Sequence, residues 1–285
     1  MSLRCAAVIV IFSSLFANAN TASPDDDGWI PLFNGKNLDG WYSFLLTTGK
    51  NSDPKGIFKV ENGMIHVLDV NDPLGRRESF GYLATNEEYS DVRIHIEYKW
   101  GNKRFPAGSD GKRNSGLMYL FHARDNVWPE APECQIQESD VGDLWLTNGL
   151  SVTTWVVDLA SSMYSDDNSA PAFQRLVGGP LIHNARVLKA GDFENRAGWN
   201  TVEVVIEGDR STHIVNGRIV NRAWDIKQPD PQNPTQMIPL KTGRILLEAE
   251  GAEIWFRNLK IRPLKLAEKS ASPVPSSKQN LEGLR

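Results

Sequence analysis

DVRIHIEYKW, residues 91–100, alternates without interruption. Val92, Ile94, Ile96, Tyr98 and Trp100 share one parity, and Arg93, His95, Glu97 and Lys99 share the other. A period of two is that of a strand with one face on a core and the other turned away from it. The same period recurs on either side. In IFKVENGMIHVLD, residues 57–69, Asn62 and Gly63 supply the φ > 0 positions of a type I′ hairpin turn between two apolar arms. Short strands are expected at 80–84, 114–119, 133–138, 202–206, 244–250 and 253–262, with a second Asn-Gly hairpin at Asn216–Gly217. Residues 140–157 read as two strands around Asn148–Gly149. Residues 158–198 hold no sustained period and are expected to be a long loop, as is the proline-rich stretch 229–239. No segment has the pattern of a long amphipathic helix. Many short strands with glycine-containing turns predict an all-β protein, a two-sheet jelly-roll sandwich.

The chain has 285 residues and a formal net charge of -4. That charge leaves no basic footprint for nucleic acid. Arg4, the apolar run Cys5 to Phe16 and the small-residue triplet Ala17-Asn18-Ala19 have the form of an export signal over 1–19, too short to span a bilayer. The expected destination is periplasmic or extracellular. Removal of that signal leaves Cys134 as the single cysteine, so no intrachain disulfide is expected. One domain is expected over 28–264, followed by a polar tail at 265–285 that cannot bury a core.

The chemistry is concentrated in NSGLMYLFHARDNVWPEAPECQIQE, residues 114–138. Glu133, Gln135 and Gln137 alternate with the apolar pair Cys134 and Ile136, which places a carboxylate and two amides on the polar face of one strand. Glu97 and Lys99, His213, and Glu248 with Glu250 are the polar residues of other strands. Gathered in one groove they suit acid–base work on a polyhydroxylated ligand. Taken singly, each also fits a solvated sheet face, with Glu97 and Lys99 in cross-strand ion pairs. A divalent metal held by groove carboxylates and His213 is compatible with this set. Glu133 to Glu138 also resembles the E-x-D-x-x-E strand of laminarinase-type retaining glycosidases. Gln135 replaces the central Asp, however, and parity turns Glu138 away from Glu133.

A wider resemblance covers nearly the whole chain after the signal. LFNGKNLDGW (32–41), FKVENGMI (58–65), GYLATNEEYSDVRIHIEYKW (81–100), NSGLMY (114–119) and PECQIQ (132–137) carry it. GWNTVEVVIEG (198–208), HIVNG (213–217) and IWFRNLKIRPL (254–264) complete it. In order and spacing these segments resemble the 3-keto-disaccharide hydrolase domain family. The resemblance implies a concanavalin A-like jelly roll, a carbohydrate substrate and cleavage of glycosides oxidised at C3. It carries family positions onto Glu133, Gln135 and Glu138, onto Asn114, Ser115 and Gly116, onto Glu97 and Lys99, and onto His213. It departs at Glu248-Ala-Glu-Gly251, where many members carry Gln-x-His-Gly.

A ketone at C3 acidifies the C2 proton. The expected roles are therefore Glu133 as base or acid, Lys99 or a metal at the enolate, and His213 at the leaving group. Gln135, Asn114, Glu97, Glu248 and Glu250 would bind the sugar. Two other functions compete with this one: a non-catalytic carbohydrate-binding domain on the same scaffold, and a structural or adhesive surface protein.

Overall fold

Two antiparallel sheets account for the alternation, and which sheet each strand joins decides where its polar face points. The computed structural model describes residues 27–71, 74–105, 111–158, 160–165 and 172–265. The expected export signal at 1–19, and the expected tail apart from Lys265, lie outside the described residues.

The larger sheet has eleven strands. Its centre is Val92–Arg104, paired on one side with Asn200–Glu207 and on the other with Ala252–Pro263. The smaller sheet has eight strands. Its middle runs Leu144–Thr147, Pro132–Gln137, Asn114–Phe121, Arg244–Glu250, Phe80–Thr85, Trp41–Leu45. Ile94, Ile96, Tyr98 and Trp100 of the larger sheet pack against Leu117, Tyr119, Cys134, Ile136 and Leu247 of the smaller one in a single core. This is the expected jelly-roll sandwich. A 3-10 turn at Arg76–Ser79 is the one helical element among the described residues. No described helix is long and apolar enough to cross a membrane.

The hairpins follow from their turn residues. Asn62 and Gly63 have φ of 52° and 74°, and Asn216 and Gly217 have 48° and 78°, as type I′ turns require. Cys134 is fully buried, and that burial, together with the Glu133 charge, pushes its thiol well above the usual range.

Two expectations fail. Within 158–198, Phe173–Gly178 and Asn184–Val187 are strands, at the edges of the larger and smaller sheets respectively. The supposed proline-rich loop contains Asn233–Pro239, which pairs with Arg218–Asp230. All three are edge or side strands; Phe173–Gly178 and Asn233–Pro239 are largely exposed, and Asn184–Val187 buries only Val187, so no continuous buried face imposes alternation on them.

Candidate active site

The outer face of the smaller sheet carries the unusual chemistry. On it Glu133 lies opposite Met118, Gln135 opposite Gly116, and Gln137 opposite Asn114. One strand further, Glu248 lies opposite Tyr82, and Glu250 opposite Phe80. Leu247 pairs with Leu117, so Glu248 flanks Gly116 from the side away from Gln135. Gly116 is the gap in the face. A methyl group there would sit 2.5 Å from Glu133 Oε1 and closer still to Glu248 Oε2. The two carboxyl groups occupy the volume that any other residue would fill with its own side chain.

The hairpin loop 122–131 folds back over this face. Asp125 latches it, accepting hydrogen bonds from Tyr42 Oη at 2.7 Å, Tyr82 Oη at 2.8 Å and Lys50 Nζ at 3.1 Å. Trp128 packs on Phe80 with ring centroids 5.1 Å apart and donates from Nε1 to Glu250 Oε1 at 3.2 Å. Asn148 Nδ2 holds the Trp128 carbonyl at 2.7 Å. The loop leaves the strand at Leu120, whose φ of 57° lies in the left-handed region. The backbone irregularity puts both Leu120 and Leu117 into the core and sends Phe121 to the outer face. Beneath this cover Glu133, Gln135 and Glu248 are 6%, 5% and 2% exposed.

These buried groups are almost all acceptors. Glu133 Oε1, Glu248 Oε2, Gln135 Oε1 and Asn114 Oδ1 receive no hydrogen bond from any donor. The unmatched oxygens of Glu133 and Glu248 are the two that meet over Gly116. Burial pushes both carboxyls well above the usual range; the Glu250 charge adds to the rise in each and the Glu133 charge raises Glu248, whereas contact with Glu248 holds Glu133 back. Such a pair titrates as a unit rather than as two independent carboxyls. Glu250 is pushed up to about 7 by burial, while the Trp128 hydrogen bond and the Arg76 charge oppose that rise. Asn114 Nδ2 donates to Glu250 Oε2 at 2.6 Å. Beside Glu133, at the opposing register position, lies Trp145, whose Nε1 is buried with no partner. The cluster thus contains two facing carboxyls of raised proton affinity, a third pushed up to about 7, and free acceptors for hydroxyl groups. An oxygen set of this kind also suits a hard divalent cation.

Five of the expected site residues come together: Glu133, Gln135, Asn114, Glu248 and Glu250. Three do not. Glu97 and Lys99 lie on the outer face of the larger sheet, on the opposite side of the sandwich. There Glu97 accepts from Arg257 Nε at 2.8 Å and Asn258 Nδ2 at 2.6 Å, and Lys99 Nζ lies 5.3 Å from the centre of the Trp199 ring. Lys99 therefore cannot reach an enolate beside Glu133. His213 points into the core and is 1% exposed. Its Nε2 lies 2.9 Å from the Tyr119 hydroxyl and its Nδ1 3.1 Å from the Gly142 carbonyl. Burial lowers its pKa to about 4, so it is neutral and sealed off, unsuited to a leaving group or a groove metal. Parity separates the two faces of a strand but not inner from outer when a core-facing residue is polar. Glu138 is held by Arg113 Nη2 at 2.6 Å and Arg104 Nη1 at 3.1 Å, which removes the laminarinase-type pair.

Among the described residues, one group of three metal-type side chains has ligand atoms within 4.8 Å of one another: Glu61, His66 and Asp69, on the hairpin of the larger sheet. Lys103 and Lys59 both pair with Asp69 there. Sequence reasoning missed Trp128, Trp145 and the Asp125 latch. The outward parity of Trp145 in DLWLT was a usable signal for that residue, whereas nothing local marked the loop as a cover.

The solved structure of a provisionally assigned glycosyl hydrolase from Parabacteroides distasonis ATCC 8503 matches with a TM-score of 0.50 at 20% identity, covering 84% of this chain and 95% of that one. A second such protein from the same organism matches with a TM-score of 0.47 at 18% identity, covering 83% and 99%. The first likeness shows the fold. No curated protein matches the chain. The model of the 3-keto-alpha-glucoside-1,2-lyase-like domain matches residues 28–262, and the chain belongs to that family.

Proposed function

We propose that this protein is an exported enzyme that cleaves glycosides oxidised to a ketone at C3, with Glu133 and Glu248 as its proton-transfer pair. Family membership supports a carbohydrate-related role. The observation that supports the proposal is the carboxyl pair facing across Gly116, whose two facing oxygens receive no hydrogen bond. Such a pair presents an ionised base and a protonated acid in the same site.

In the first step the ionised member takes the C2 proton, and the C2–H electrons enter the enolate of the C3 ketone. In the second the C3 carbonyl re-forms, a C1–C2 double bond forms, and the C1–O bond breaks. The leaving oxygen takes the proton held by the second carboxyl. Addition of water across C1 and C2 completes a net hydrolysis; without it the outcome is that of a lyase. Gln135, Asn114 and Glu250 bind the hydroxyl groups, and Trp145 Nε1–H is a free donor beside Glu133 for a developing oxyanion.

The test is incubation with a C3-oxidised disaccharide and with its parent, with and without chelator, following release of reducing sugar. Cleavage of the oxidised substrate alone is expected. Binding of both sugars without turnover, under every metal condition, would instead make this a carbohydrate-binding domain. Equal cleavage of the parent would remove the C3 ketone from the mechanism.

A further inference from the structure

Trp128 occupies a position that no other tryptophan of this chain shares. Of the nine, it alone is an exposed large side chain, 40% accessible. Most of the others are spent on protein contacts. Arg257 lies over Trp199, Arg186 over Trp145, Lys260 over Trp29, His66 against Trp255, and Trp155 against Trp224. Trp41 and Trp100 are buried. Trp128 sits on the cover loop above the acceptor cluster, with Phe80 behind it and its Nε1–H on Glu250. An indole exposed at the rim of a site full of unsatisfied acceptors matches a pyranose, whose hydroxyl edge needs those acceptors and whose C–H face needs an apolar plate.

We infer that Trp128 is the binding and positioning residue of this site, stacking a sugar ring on its exposed surface while its indole N–H holds Glu250 in place. The inference rests on the carbohydrate reading of the site but not on catalysis. Glu250 faces Asn114 from one strand, Glu248 and Glu133 within the cluster, Arg76 from the 3-10 turn, and Trp128 from the loop. The indole donor favours its ionised form, so loss of the N–H raises the proton affinity of Glu250 and moves any dependence on that group to higher pH.

Two variants separate the stacking from the hydrogen bond. Trp128→Ala removes both. Trp128→Phe keeps an aromatic plate, removes the donor, and holds the test if the alanine variant loosens the loop. Binding of a C3-oxidised disaccharide and of its parent is measured by calorimetry between pH 5 and 9, together with turnover and melting temperature. Trp128→Ala is expected to weaken binding by about three- to tenfold. Trp128→Phe is expected to bind nearly as well as wild type at low pH, with the limb assigned to Glu250 shifted upward. Wild-type affinity and an unshifted profile in both variants would overturn the inference even if the enzyme turns over 3-keto glycosides. Wild-type protein that binds without turnover, with binding weakened by Trp128→Ala, would sustain the inference and defeat the catalytic proposal. Wild-type protein that binds neither sugar would overturn both.

Discussion

The two outer faces of the sandwich are both polar, but their polar groups are matched in opposite ways. On the larger sheet the two carboxylates at its centre, Glu97 and Glu203, each meet a cation. Arg93 donates to Glu203 through Nε at 2.9 Å and Nη2 at 2.7 Å, His95 approaches the same carboxylate at 3.3 Å, and Arg257 takes Glu97. Burial alone would raise Glu203, yet His95 and Arg93 hold it down to about 2. On the smaller sheet Glu133 and Glu248 have no cation bonded to them, and their acceptors lack donors. A satisfied ladder is complete in the folded protein. A buried cluster of unmatched acceptors costs stability and is kept where something else, a proton or a ligand, completes it. The difference leaves the smaller sheet's face, and not the centre of the larger one, with a demand for a proton or a ligand.

The largest effects should separate the faces by activity. Glu133→Gln or Glu248→Gln should lower cleavage of a C3-oxidised glycoside by about 10²–10⁴-fold, the usual contribution of an acid–base group. Glu97→Gln and Lys99→Ala should leave the rate unchanged. Steady-state rates of the four variants decide this, and a collapse in Glu97→Gln would break the comparison.

Next in size is Gly116→Ala. Its methyl group meets both carboxyls, so they must move apart. The expected cost is about 1–3 kcal/mol from overpacking, with loss of activity, read by urea unfolding and turnover. Unchanged stability and rate would mean that the carboxyls do not need that gap.

The pH dependence of stability should have opposite signs on the two faces. Glu203 is depressed when folded, so its stabilisation is present above the unfolded carboxylate value and lost as pH falls toward 2. Glu203→Gln should therefore destabilise at pH 7, on the order of 2–3 kcal/mol, with the loss disappearing in acid. Glu248 is raised when folded, so the native state holds protons that the unfolded state releases, and stability declines as pH rises above the unfolded value. Glu248→Gln should raise the melting temperature at pH 8 and leave it near wild type at pH 4. A stabilising effect that persists in acid would locate its cause elsewhere. The smallest effect is that of Glu97→Gln on stability, about 0.2–1 kcal/mol for a partly exposed pair.

The sandwich was legible in residues 91–100 because its core face is apolar at every second position, and the two Asn-Gly turns placed their hairpins. The strands 173–178, 184–187 and 233–239 were not legible because they bury little. For the site, the outward row of Glu133 and Gln135 and the shared parity of Glu248 with Glu250 were readable within single strands. Their meeting over Gly116 depends on strand order, which no local pattern encodes. His213 reads as outward because it is polar and shares its parity with the polar Ser211, whereas Tyr119, Ser211 and the Gly142 carbonyl give it a polar niche inside the core. Glu97 and Lys99 were assigned to the correct face of their strand but belong to the other sheet.

The central claim is that the carboxyl pair over Gly116 moves the proton at C2 of the sugar. Proton NMR in D₂O tests it by following deuterium incorporation at C2 of a C3-oxidised glycoside. The account predicts incorporation with wild type, Glu97→Gln and Lys99→Ala, and none above background with the Glu133→Gln/Glu248→Gln double variant. Incorporation at the wild-type rate in that double variant, or its loss in Glu97→Gln alone, would contradict the assignment.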